Sequence, residues 1–310
     1  MTDPSPIVLT SADLTVSVVP ATGARIAQIT DATGRDWLVQ TDRPEPGTDQ
    51  PIPFTAGTRG GWDECLPSIA ECADPNPGRS GEPIRDHGDF WSRPWRTARA
   101  SASEIVLDRR DPNHPLQLRK SIRLLPGRAA LEVRIDVSNA GPRDYRFLYS
   151  AHPLWSWPEA AVIVIPQAGQ VVSAFGPRWP QPVVGTWPSL GPSGGTFDLA
   201  EVARTGPSEN YKVFVRWAGV ARLEFPDLGA AVTMRQSTDS APWVGLCVNR
   251  DSWPEQGAGA SWIAIEPANA PSDSLVDAWR QGSAHLLQPG RSMSFTNEVE
   301  ITPEPGRPRS

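Results

Sequence analysis

Residues 116–137 read LQLRKSIRLLPGRAALEVRIDV. In the second half, Leu131, Val133, Ile135 and Val137 alternate with Glu132, Arg134 and Asp136. A period of two puts one set of side chains on a dry face and the other in water, as in a half-buried strand. The run LQLRKSIRLL precedes it, with Pro126-Gly127-Arg128 between the two. Proline presets a turn and glycine permits its corner, so the segment predicts a β-hairpin. The layout recurs as LTVSVV, PATG and ARIAQI (14–29) and as ARLEF, PDLG and AAVTMRQS (221–237). PWVGLCV (242–248), SWIAIE (261–266) and SMSFTNEVEI (292–301) are further strand candidates.

Composition agrees. The chain holds 34 prolines and 26 glycines in 310 residues, both poor in helix interiors and common in turns. One helix start stands out, Ser272-Asp273 as a cap for SLVDAWRQ. Residues 40–60 and 176–210 are rich in Pro, Gly, Ser and Thr and read as long loops, which in a compact domain are often functional. No internal repeat or splitting linker is visible. The fold class expected is all-β, one large antiparallel β-sandwich with few short helices. It fills a single domain, 1–301, followed by a disordered tail, 302–310.

A net charge of −6 argues against a nucleic-acid partner, which needs a basic face. No apolar run approaches membrane-spanning length, and the N-terminus lacks the pattern of a signal peptide. A soluble, cytoplasmic protein is the expectation. The basic residues are almost all arginine; Lys120 and Lys212 are the only lysines, which reads as codon bias before function. Three cysteines, Cys65, Cys72 and Cys247, make no disulfide framework. Cys65, Cys72 and His87 have no compact zinc spacing, and no Walker, dinucleotide or G-x-S-x-G pattern occurs. Neither metal nor cofactor is expected.

The residues that could carry chemistry are few. His114 lies in the turn DPNHP and His285 in a polar stretch, and both read as bland. His87 lies in DHGDFWSRPW (86–95), between Asp86 and Gly88-Asp89 and just before Trp91 and Trp95. His152 lies in SAHPLW (150–155), beside Trp155. A lone histidine is more often a buried one satisfied by backbone; two beside aromatic rings shift the balance. Glu266 ends SWIAIE and precedes PANAPSD. Desolvation there would raise its pKa toward that of a general base, unless it turns to solvent. Trp62-Asp63-Glu64 offers two acids, with Trp62 and Glu64 on one face if extended. A solvated loop is the bland alternative. Thirteen tryptophans against three tyrosines suit the C–H face of a sugar ring, although most must be packing.

Taken in order, His-Gly (87–88), His-Pro (152–153) and Glu-x-x-Asn (266–269) resemble the aldose 1-epimerases, the galactose mutarotase-like family. VVPATGARI (18–26) is similar to that family's opening strand pair. The resemblance spans most of the chain and implies a β-supersandwich that interconverts the α and β anomers of a free sugar. It implies His152 as general acid, Glu266 as general base and His87 as a polarising or positioning group. Trp62, Asp63, Glu64, Asp86, Trp91 and Trp155 would then bind substrate, with no cofactor. The chain departs from the best-known branch: it has no Asn-Arg pair, with GWDECLP (61–67) standing there, and no evident sugar-binding aspartate in 176–220. Three alternatives remain open. One is a non-catalytic sugar-binding protein. Another is a phosphosugar epimerase, using Arg85, Arg93 and Arg96. The third is a glycoside-cleaving enzyme pairing Glu266 with Asp63 or Glu64.

Overall fold

The computed structural model describes residues 5–40, 52–57, 60–179, 182–191, 196–254 and 261–303. The opening hairpin forms as read, with Leu116–Leu125 pairing antiparallel to Ala130–Asn139. Leu131, Val133, Ile135 and Val137 are fully buried. Ser292–Pro303 pairs along the other side of the second strand. These strands centre a nine-stranded sheet; a twelve-stranded sheet packs against it, and the main apolar core fills the space between. Burial of that core is the principal force holding the two sheets face to face.

The larger sheet runs through Trp62–Cys65, Ser150–Trp155, Ser261–Ala268, Trp243–Arg250 and Glu209–Arg216 as consecutive neighbours. Three expectations change in detail. The helix is Leu275–Arg280 with Ser274 at its N-cap, so Ser272 and Asp273 precede the cap. Residues 176–210 are not wholly loop: Val184–Thr186, Ser189–Leu190, Phe197–Asp198 and Glu201–Ala203 are short strands. Frequent Pro and Gly shorten ladders there without abolishing them. Most of the other long segment, 41–51 with 58 and 59, lies outside the described residues. The last strand takes in Thr302 and Pro303, two residues of the expected tail; the remainder, 304–310, lies outside the described residues. No helix among the described residues is long and apolar enough to cross a membrane.

Candidate functional site

Strand register assembles the site. His152 pairs with Asp63 on one side. On the other, the pairs Ser150↔Ala268 and Leu154↔Ala264 set it opposite Glu266. Glu266 pairs in turn with Gly245. Residues opposite one another share a face, so Asp63, His152 and Glu266 form one row across three strands, on the face away from the core. Beyond Gly245 lies the strand carrying Lys212. A Cβ at Gly245 would sit 3.1 Å from Lys212 Cε and 3.2 Å from Glu266 Cβ. The glycine thus leaves the gap through which Lys212 reaches Glu266. Lys212 Nζ donates to Glu266 Oε2 at 2.5 Å and pairs with Asp273 Oδ1 at 2.8 Å.

His87 enters from the loop above. Its backbone is left-handed, at φ 61°, and its N–H donates to the Ile69 carbonyl at 2.6 Å. Gly88 follows at φ +73°, and a Cβ there would fall 1.7 Å from the Leu66 carbonyl oxygen. Only glycine passes that backbone. Asp86 accepts from His87 Nδ1 at 3.0 Å, and Asp63 accepts from His152 Nδ1 at 2.8 Å. The two imidazoles lie 5.0 Å apart, centroid to centroid. Phe54 stacks flat on His87, at 3.5 Å and 5°. The resulting cleft, of about 390 Å³, is walled by Phe54, Leu154, Trp253 and Trp262 around the polar groups.

The charges are set by their neighbours. Burial works against a charged His152, yet the Asp63 carboxylate outweighs it and the imidazole pKa is raised. Burial also penalises the Asp63 carboxylate, but His152, with His87 and Arg25, holds its pKa below the ordinary value. Burial alone would lift Glu266; Lys212 and then His152 overcome it, and its pKa is lowered. This corrects the expectation from the sequence, which lacked the lysine. Lys212 is itself held protonated: Asp273 and Glu266 together override its burial. The cleft therefore sets an imidazole whose charged form is favoured by Asp63 beside a carboxylate whose charged form is favoured by Lys212.

Of the residues read from the sequence, His87, His152, Glu266 and Asp86 line the cleft. Asp63 stands behind His152. Trp62, Glu64 and Trp155 point the other way, because each differs in strand parity from Asp63 or His152. Trp62 and Trp155 are fully buried and meet ring to ring at 6.4 Å. Glu64 accepts from the Tyr149 hydroxyl at 2.8 Å and pairs with Lys120 Nζ at 3.0 Å. These three lie in the core instead of on the cleft wall, and Glu64 cannot face Glu266 across a substrate. Trp91 sits in a series of turns and meets Phe54 edge-on at 5.0 Å, so it backs the wall. Arg85 and Arg93 pair with Asp89, and Arg96 with Asp108, all outside the cleft lining. Asp89 therefore braces the loop and does not orient His87. His114 is buried against Tyr145 at 2.9 Å, and half-buried His285 lies beside Met293.

Sequence reasoning missed Phe54, Lys212, Trp253, Trp262 and Asp273. The one available signal for Lys212 was rarity: both lysines of the chain are buried against acids. Cys65 was set aside for want of zinc spacing along the chain, but the fold brings it beside His87 and His152.

This architecture recurs in solved structures. A galactose mutarotase-like protein from Lactobacillus casei superposes with a TM-score of 0.69 at 15% identity, over 96% of this chain and 100% of the other. A galactose mutarotase related enzyme from Lactobacillus acidophilus gives 0.68 at 15%, over 98% and 100%. An aldose epimerase homologue from C. elegans gives 0.68 at 12%, over 97% and 99%. The chain has the galactose mutarotase-like fold. No protein-family model matches its sequence, and no curated protein matches it. In this mutarotase-like fold the cleft opens on the larger sheet, where the two histidines and Glu266 meet.

Proposed function

We propose that the chain is an aldose 1-epimerase acting on a free, unphosphorylated sugar. The observation that carries this is the His152–Glu266 pair, set opposite in register, with neighbours that raise the pKa of the imidazole and lower that of the carboxylate. Acid and base with separated pKa values are what proton shuttling requires. Glu266 takes the proton of the anomeric hydroxyl while His152 Nε2–H protonates the ring oxygen. The ring C–O bond breaks and the aldehyde forms. Rotation about the first carbon–carbon bond presents the other carbonyl face. The chain hydroxyl then attacks, His152 takes its proton back, and Glu266 returns its own to the anomeric oxygen. Asp63 steadies the imidazolium, and the aromatic walls suit the C–H faces of a pyranose. A cleft whose one lysine is shared by two carboxylates, with Asp86 nearby, disfavours a phosphate group, which supports the unphosphorylated reading.

Polarimetry of freshly dissolved α-glucose and α-galactose tests the proposal. Wild type should speed the approach to the equilibrium rotation, His152→Ala should not, and Glu266→Gln should bind sugar without turnover. An unchanged rate in Glu266→Gln would refute the mechanism. Tight binding of both anomers with no acceleration by wild type would instead mark a sugar-binding protein.

A further inference from the structure

We propose that Cys65, His87 and His152 form a binding site for a thiophilic divalent cation of the Zn²⁺ class, between the two cleft histidines and the buried thiol behind them. Each residue offers a ligand atom, and the three atoms lie within 4.8 Å of one another. Bonds of about 2.0–2.3 Å to a tetrahedral ion need only a small further approach. Strand parity sets this up: Cys65 lies two residues beyond Asp63 and so shares its face, beside His152.

The second line of argument is the surroundings of the ligands. Both imidazoles commit Nδ1 to a carboxylate, His87 to Asp86 and His152 to Asp63. That leaves Nε2 of each for another partner, oriented and made more basic by the carboxylate behind it. This is the arrangement that metal-binding histidines adopt. Asp63, Asp86, Glu266 and Asp273 surround the group, four acids against the two cations Lys212 and Arg25. The local field therefore favours a positive ion. One sulfur and two imidazole nitrogens are wrong for Ca²⁺ or Mg²⁺ and right for Zn²⁺ or Co²⁺, and three protein ligands leave a fourth position. Cys65 is a free thiol and fully buried. On binding, the thiol proton and any proton on His152 Nε2 pass to solvent as the ion takes their places.

His152 Nε2 is also the atom that donates to the sugar in the epimerase reading. Resting on that reading, occupation by the ion and turnover exclude each other, so Zn²⁺ acts as an inhibitor. Protein dialysed against chelator would be titrated with Zn²⁺ in competition with a chromophoric chelator, and with Co²⁺ by absorption. One equivalent should bind, and Co²⁺ should give a thiolate-to-metal charge-transfer band. Cys65→Ser should abolish the band and weaken Zn²⁺ by more than the roughly 10–100-fold that loss of an outer partner costs. His87→Ala should weaken it too, while Cys72→Ser should leave binding intact. Absence of binding, or binding without the thiolate band and unaffected in Cys65→Ser, overturns the site. If the metal-free protein accelerates mutarotation, one equivalent of Zn²⁺ should stop it and excess chelator restore it. An unchanged rate with the ion bound overturns the exclusion. Binding in a protein that turns over no sugar upholds the site and removes the epimerase reading.

Discussion

Glu266 is decided by a contest between burial, which opposes its charge, and Lys212, which favours it and wins. A carboxylate whose folded pKa is depressed keeps its charge to lower pH. The acid limb of kcat/KM should therefore lie below the ordinary value of 4.5. In Lys212→Met the main opposing influence is removed and burial is left, so the limb should move upward. A pH–rate profile of both proteins checks this, and a limb that stays in place would show that Lys212 does not act through Glu266. Local sequence could not have shown this contact. Tyr211-Lys212-Val213-Phe214 gives no sign of a partner 54 residues away. The glutamate was legible as a buried strand-end acid; its charge state was not, because the group that sets it is long-range.

Among the elements, strands were more legible than the segments between them. Alternation is a local property, so Leu116–Leu125, Ala130–Asn139 and Ser261–Ala268 fell close to where the pattern put them. The His87 loop has no period, and its shape depends on a distant chain passing beneath it. Leu66 lies against Gly88 in an isolated parallel bridge. That close passage makes Gly88 a test of the loop. In Gly88→Ala the added methyl meets the Leu66 carbonyl and the residue keeps a left-handed φ, so His87 must leave its place under Phe54. Activity should fall at least about a hundredfold, since a shift of about 1 Å in a positioned group costs that much. Stability should fall by more than the roughly 1 kcal/mol usual for glycine replaced at positive φ. Activity assayed beside thermal unfolding separates the two effects, and a variant with wild-type rate would remove the loop from the site.

At the scale of the whole molecule, hydrophobic pattern predicted a sandwich, but not what crosses it. Lys120 stands on the smaller sheet, and the alternation Leu116, Leu118, Lys120, Ile122 places it on the dry face. Its partner Glu64 stands on the larger sheet, turned inward by the same parity that turns Asp63 out to the cleft. The pair, with the Tyr149 hydroxyl, links the two sheets directly behind the site row. Such a pair adds little over well-packed apolar residues, but breaking it strands a charge, at a cost of about 3–5 kcal/mol. Lys120→Met should therefore lower the unfolding free energy by that amount near neutral pH, and adding Glu64→Leu should recover most of it. Burial already raises the Glu64 pKa above its ordinary value, and without Lys120 it must rise further. Once pH falls through that value the stranded carboxylate takes a proton, so the deficit of the single variant should shrink toward acid. Denaturant unfolding of the wild type, the single variant and the double variant, at neutral pH and near pH 5, checks both signs. A deficit equal at the two pH values would mean that Glu64 carries no charge in the interior. The link between the sheets would then be a neutral hydrogen bond to Tyr149.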